Sequence, residues 1–163
     1  MKHVDMVPGS VALPLPDGDI VNRFETAYKV VLPEGYRHFL KHSGGGRPAT
    51  RTFMAGGRQW VIDRFLCLLL DPEDHPLGEY DIGVTWSQLF DRLTSDPDGV
   101  GASMVPIAVL FAGDFVCLDY RASKDKPRTE SQVVVWLHEQ SEPFAPAVRR
   151  VCDTFTEFLE LVR

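Results

Sequence analysis

Long apolar runs are missing from this 163-residue chain. The uncharged stretch from Ala102 to Gly113 holds Pro106 and falls well short of the about 20 apolar residues that a spanning helix needs, so no membrane association is expected. Nor does an apolar h-region follow the opening Met1-Lys2-His3-Val4-Asp5, and a secretory signal is not expected either. Cysteine is scarce. Cys67, Cys117 and Cys152 are odd in number and widely spaced, in apolar settings such as Phe65-Leu66-Cys67-Leu68. That pattern argues against a disulfide framework and a four-ligand zinc site, and predicts reduced, buried thiols in a cytoplasmic protein. Positive charge is in deficit: 17 Lys and Arg against 23 Asp and Glu give a formal charge of −6. This is the wrong sign for a domain that lives on phosphate backbones, so nucleic acid is excluded as an expected partner.

What is present is ordinary globular composition, 44% apolar and 25% charged, in a length suited to one domain over 1–163. No linker, repeat or low-complexity tract divides it. Residues 1–16, with Pro8, Pro14 and Pro16, predict an irregular lead-in, the fold beginning near Asp17. Ile20, Phe24, Ala27, Tyr28 and Val31 then recur at helical spacing, with Asp17 or Asp19 as N-cap. A second helix opens at Leu32-Pro33-Glu34, buries Tyr36, Phe39 and Leu40, and stops at Ser43-Gly44-Gly45-Gly46. Thr52 to Leu70 predicts one short and one longer strand around Gly56-Gly57. A third helix follows with Thr85 as cap and Trp86, Leu89, Phe90 and Leu93 on one face, stopped by Asp96-Pro97-Asp98-Gly99. Val105–Phe111, Gly113-Asp114 and Phe115–Tyr120 read as a hairpin, and Val133–His138 as a further strand of the same sheet. Thr154-Phe155-Thr156-Glu157 forms a capping box for a terminal helix. The sum is an α+β fold, a largely antiparallel β-sheet packed by about four α-helices.

These elements carry an ordered set of short blocks. Glu25 lies seven residues before Leu32-Pro33, which is followed by Tyr36, Phe39, Leu40 and the glycine cluster. Later come Val105-Pro106-Ile107-Ala108, Gly113-Asp114, Val116-Cys117-Leu118-Asp119, Val133 to Trp136, and Asp153 to Leu159. The set resembles the SUKH superfamily, the Smi/Knr-type domain of bacterial immunity proteins and of a fungal cell-wall assembly regulator. Gly44 stands where the family pattern has Asn, a mild change because both residues suit a left-handed helix cap. The resemblance implies a non-enzymatic recognition module that binds a protein partner, as an immunity protein neutralising a bacterial toxin does. The alternative it allows is a regulatory or scaffold domain that binds endogenous proteins or a small ligand. Neither sets an oligomeric state.

Five carboxylates, Asp71, Glu73, Asp74, Glu79 and Asp81, crowd one segment with Pro72, Pro76 and Gly78. They form the candidate partner-binding surface, suited to a basic toxin domain because charge complementarity speeds encounter. The segment lacks the alternating ligands and glycine of a calcium loop. Gly44-Gly45-Gly46-Arg47 follows a helix instead of preceding one, so the dipole has the wrong sign for phosphate, and Arg47 is better suited to capping carbonyls. His38 and His42 are four apart on one helix but lack a third ligand and the Glu of a His-Glu-x-x-His site, so they read as solvated and no metal or cofactor is expected. Cys117, Asp119 and His138 compose the best enzyme hypothesis. Against it, Cys117 sits mid-strand, where a thiol gains no reactivity, and Asp119 is placed to bond Arg121 or nearby backbone. Trp60, Trp86 and Trp136 read as core.

Overall fold

The computed structural model describes residues 1–93, 100–137 and 147–163. Within them lie α1 (Gly18–Tyr28), α2 (Glu34–His42), β1 (Thr52–Ala55), β2 (Arg58–Phe65), α3 (Ile82–Leu93), β3 (Met104–Leu110), β4 (Phe115–Asp119), β5 (Gln132–Trp136), β6 (Val148–Cys152) and α4 (Phe155–Leu161). The strands form one sheet in the order β1-β2-β3-β4-β5-β6, every neighbouring pair antiparallel. This is the expected α+β fold, four helices on an antiparallel sheet.

Strand alternation explains why the sheet reads as near-continuous apolar sequence: both faces are covered. Val116, Leu118, Val133 and Val135 point into the larger core, shared with Phe24, Tyr36, Phe39, Phe155 and Phe158 from the helices. The alternate residues Cys117, Val134 and Trp136 turn to a smaller cluster with Met104 and Leu89. Pro106, which cannot donate to a ladder, sits beside a bulge where the β3–β4 register shifts between Pro106 and Ala108.

Local chemistry sets the helix ends. Asp17 caps α1, its carboxylate accepting the Ile20 N–H at 2.9 Å, and Lys29 closes the helix in the left-handed region at φ 55°. The buried side of α1 is Val21 and Phe24, with Ile20 and Tyr28 partly covered, whereas Ala27 and Val31 are exposed. The predicted stripe thus holds at Ile20, Phe24 and Tyr28, omits Val21, and fails at Ala27 and at Val31, which belongs to the connection beyond the helix. At α4, Thr154 Oγ1 accepts the Glu157 N–H at 3.2 Å, and Glu157 reaches back to the Asp153 N–H at 3.1 Å, one residue earlier than the expected box.

Other expectations are corrected. The cap of α3 is Asp81, whose Oδ1 accepts the Val84 N–H at 3.1 Å; Thr85 lies one turn inside and bonds the Glu79 carbonyl instead. In the β3–β4 hairpin the positive φ values belong to Ala112 (77°) and Gly113 (93°), while the Asp114 carbonyl already accepts the Leu110 N–H. β6 was not anticipated: its charged pair Arg149-Arg150 suits an edge strand but hides the apolar alternation. The lead-in has no helix or strand, yet it is packed, with Val4 and Ala12 buried and Met6 bridged to Pro48. The core therefore begins well before Asp17. The Asp96–Gly99 stop and His138 lie outside the described residues, as do the side chains of Phe90 and Leu93.

Candidate docking surface

The acidic segment is built as two short 3₁₀ turns, Pro72–Asp74 and Gly78–Tyr80, folded onto one another. Gly78 makes this possible, since a Cβ there would fall 1.7 Å from the Pro72 carbonyl oxygen. His75 fastens the segment: its Nδ1 accepts the Leu77 N–H at 3.0 Å, which leaves Nε2 to donate to the Leu13 carbonyl at 2.7 Å. Arg64 secures the far side. It lies 4.2 Å over the Tyr80 ring and donates to the Ser10 carbonyl at 3.0 Å, a buried cation satisfied by a ring face and the lead-in backbone.

On this frame Asp71, Glu73, Asp74 and Glu79 are exposed. None of the four makes an ion pair among the described residues. Their mutual repulsion registers at Asp71, whose carboxyl is held above the ordinary 3.8, chiefly by the neighbouring charge of Asp74. Asp81 is not among them. It is 4% exposed, and besides capping α3 it accepts the buried Leu69 N–H at 2.9 Å. Burial pushes its pKa up while the backbone N–H groups pull it down. A carboxylate so engaged presents no charge to a partner.

The other candidates separate. Cys117 is fully buried, and burial pushes its thiol well above the ordinary range; Cys67 and Cys152 are pushed up to about 12 and about 11 for the same reason. All three are free, protonated packing groups at neutral pH. Asp119 is held in a bidentate pair with Arg121, at 2.9 and 2.8 Å, and also accepts the Arg121 N–H. His38 and His42 stack in the open with centroids 4.0 Å apart, and the described residues contain no group of three or more His, Cys, Asp or Glu placed to hold a metal. Gly45 and Gly46 serve close packing: a Cβ on Gly45 would meet the Leu66–Cys67 backbone at 2.5 Å, and Gly46 pairs with Phe65. Arg47 engages through its backbone, donating to Ser10 Oγ and accepting from Val7. Trp60, Trp86 and Trp136 are core, Trp86 stacked on Tyr28.

Sequence reasoning missed a groove of about 420 Å³ walled by residues 31–34, 129–131 and 153–155. Its walls are stitched by the backbone. Val31 donates to the Arg128 carbonyl at 2.7 Å and Arg128 to that of Lys29 at 3.0 Å, while the Tyr120 hydroxyl donates to the Val31 carbonyl at 2.8 Å. Glu25 braces the same connection, accepting the Leu32 N–H at 2.8 Å through one oxygen and pairing with Arg37 through the other. This is the physical reason for a glutamate seven residues before Leu32-Pro33. No single segment could have signalled a groove made by three distant ones.

Fold and surface together define an α+β domain whose exposed features suit recognition: an unpaired acidic turn and a preformed groove. The chain belongs to the SMI1-KNR4 cell-wall family of the SUKH superfamily, whose family model SUKH_6 matches residues 19–159. No curated protein and no solved structure matches it. Domains of this family are generally non-enzymatic and work through protein–protein interaction.

Proposed function

We propose that this protein is a cytoplasmic immunity protein that binds a basic bacterial toxin domain and neutralises it by occluding its active surface. The reading rests on one observation above the others: Asp71, Glu73, Asp74 and Glu79 are exposed, unpaired among the described residues, and fixed on a braced turn. Fixed charge of one sign accelerates encounter with a complementary partner and orients it, without reorganisation at the moment of docking. Asp81 takes no part in the contact. A fully buried Cys117 thiol, held above its ordinary pKa by that burial, and an Asp119 already locked to Arg121 support a binding role over catalysis.

The test is affinity capture of the tagged protein from its native cells at low and then high salt, repeated with Glu73→Lys/Asp74→Lys. A basic partner with toxin architecture, released by salt and lost with the charge reversal, carries the proposal. Retention of housekeeping proteins alone, indifferent to that variant, shifts the reading to a regulatory or scaffold domain, for which the groove beside α2 offers room for a small ligand.

A further inference from the structure

The acidic turn is not bordered by polar residues alone. Two leucines stand in solvent beside it: Leu70, 66% exposed, is the residue before Asp71, and Leu13, 63% exposed, gives its carbonyl to His75 Nε2. Single exposed apolar side chains are ordinary. These two are the most exposed leucines among the described residues, and they come from segments far apart in sequence that the fold packs together. Ala12 and Leu69 share a small buried cluster with Cys67, edged by Leu77 and Tyr80. The next residue along each chain, Leu13 and Leu70, is left outside it.

Both leucines rise from fastened backbone. On the lead-in, besides the bond from His75 to Leu13 at 2.7 Å, the Ser10 carbonyl accepts from Arg64 at 3.0 Å and Ser10 Oγ donates to the Val7 carbonyl at 2.7 Å. On the other chain Asp81 accepts the Leu69 N–H at 2.9 Å, while Cys67 donates to the Tyr80 carbonyl at 2.9 Å and accepts from Ile82 at 2.8 Å. A side chain on fixed backbone leaves less freedom to lose on docking than one on a free loop. The surrounding charge is of one sign. Neither 4–16 nor 65–82 contains a lysine or arginine, and Arg64, which reaches between them, is buried against the Tyr80 ring. An exposed cation, Arg47, is tied to the lead-in through its backbone, but the four exposed carboxylates of the turn outweigh it.

We propose that the docking surface extends from the acidic turn onto the lead-in, with Leu13 and Leu70 as its apolar anchors, and that it fits a basic protein surface in which apolar side chains lie among the lysines and arginines. This inference rests on the immunity reading and adds what the partner must present, since positive charge alone is not sufficient. An apolar centre with a charged rim divides the labour: the carboxylates speed and orient encounter, and the leucines hold the complex once water is expelled.

Two synthetic peptides of equal length and lysine content test it, one with leucines and one with serines between the lysines, each titrated into the isotope-labelled full chain at low and high salt and followed by NMR. The leucine peptide should bind about tenfold more tightly, the gain left from covering two exposed leucines after the ordering costs are met. Its amide shifts should fall at Ala12, Leu13 and residues 69–75. Salt should weaken both peptides and leave their ratio unchanged, because only the charge contribution is screened. Leu13→Ser and Leu70→Ser, both on exposed side chains and checked for unchanged thermal melts, should each reduce the preference and together remove it, with no effect on the serine peptide. Equal binding of the two peptides to the wild-type chain overturns the proposal and leaves the acidic surface standing. So does a leucine preference that survives the double replacement, or shifts that map elsewhere. Failure of both peptides to bind, or binding indifferent to Glu73→Lys/Asp74→Lys, overturns the acidic reading along with it.

Discussion

Asp74 and Asp81 lie seven residues apart in one acidic segment, carry the same group, and do opposite work. Asp74 stands in solvent on the first 3₁₀ turn and repels Asp71. Asp81 is buried, with one oxygen on the Leu69 N–H and the other at the first turn of α3. Composition counts them alike. What separates them is whether orphaned backbone donors lie within reach: a carboxylate beside the start of a helix and an unpaired buried N–H is drawn inward, and one on a solvated turn is not.

The severest way to break this comparison is at the residue that keeps the two sets apart. Gly78→Ala places a Cβ 1.7 Å from the Pro72 carbonyl and should cost about 3 kcal/mol or more, since backbone and not a flexible side chain must give way; chemical denaturation measures it. Asp81→Ala comes next, at about 2–4 kcal/mol, because it removes the α3 cap and strands the buried Leu69 N–H. Glu73→Lys/Asp74→Lys should move stability by no more than about 0.5 kcal/mol while weakening a basic partner at least about tenfold, so binding and stability respond at opposite ends of one segment. Titrations sharpen the contrast last. Asp71 should return toward 3.8 in Asp74→Asn, followed by NMR. At Asp81 the folded pKa is raised above 3.8, so the folded state holds the proton more tightly. The contribution of this group to stability is greatest below 3.8 and falls as pH rises through the raised value. Asp81→Asn should remove that slope.

Much of the fold was legible. The capping aspartate Asp17, the Gly56-Gly57 hairpin, with both glycines at positive φ (60° and 73°), and the Thr154–Glu157 box are local signals that tertiary structure left in place. The losses have a common cause. β6 is an edge strand whose exposed arginines mask its alternation, and α3 carries a threonine that suits a cap one turn inside the aspartate that acts as one. Burial of Asp81 and the groove depend on segments far apart in sequence, which no window can bring together. The reading of Cys117 survived because its setting, mid-strand between apolar neighbours on both faces, was itself local.

The meander carries a consequence for how the chain folds. Each strand lies beside its sequence neighbour, so four of the five ladders close over 2 to 12 residues, and closure entropy rises only slowly with loop length. The exception is the join between β2 and β3, across which the acidic turns and all of α3 must be gathered. The topology thus divides the sheet into two locally connected units, the β1–β2 hairpin and the β3–β6 meander, and Asp81 bonds within the very segment that joins them. A replacement there should slow folding itself, whereas changes at Asp74 should leave the rate alone.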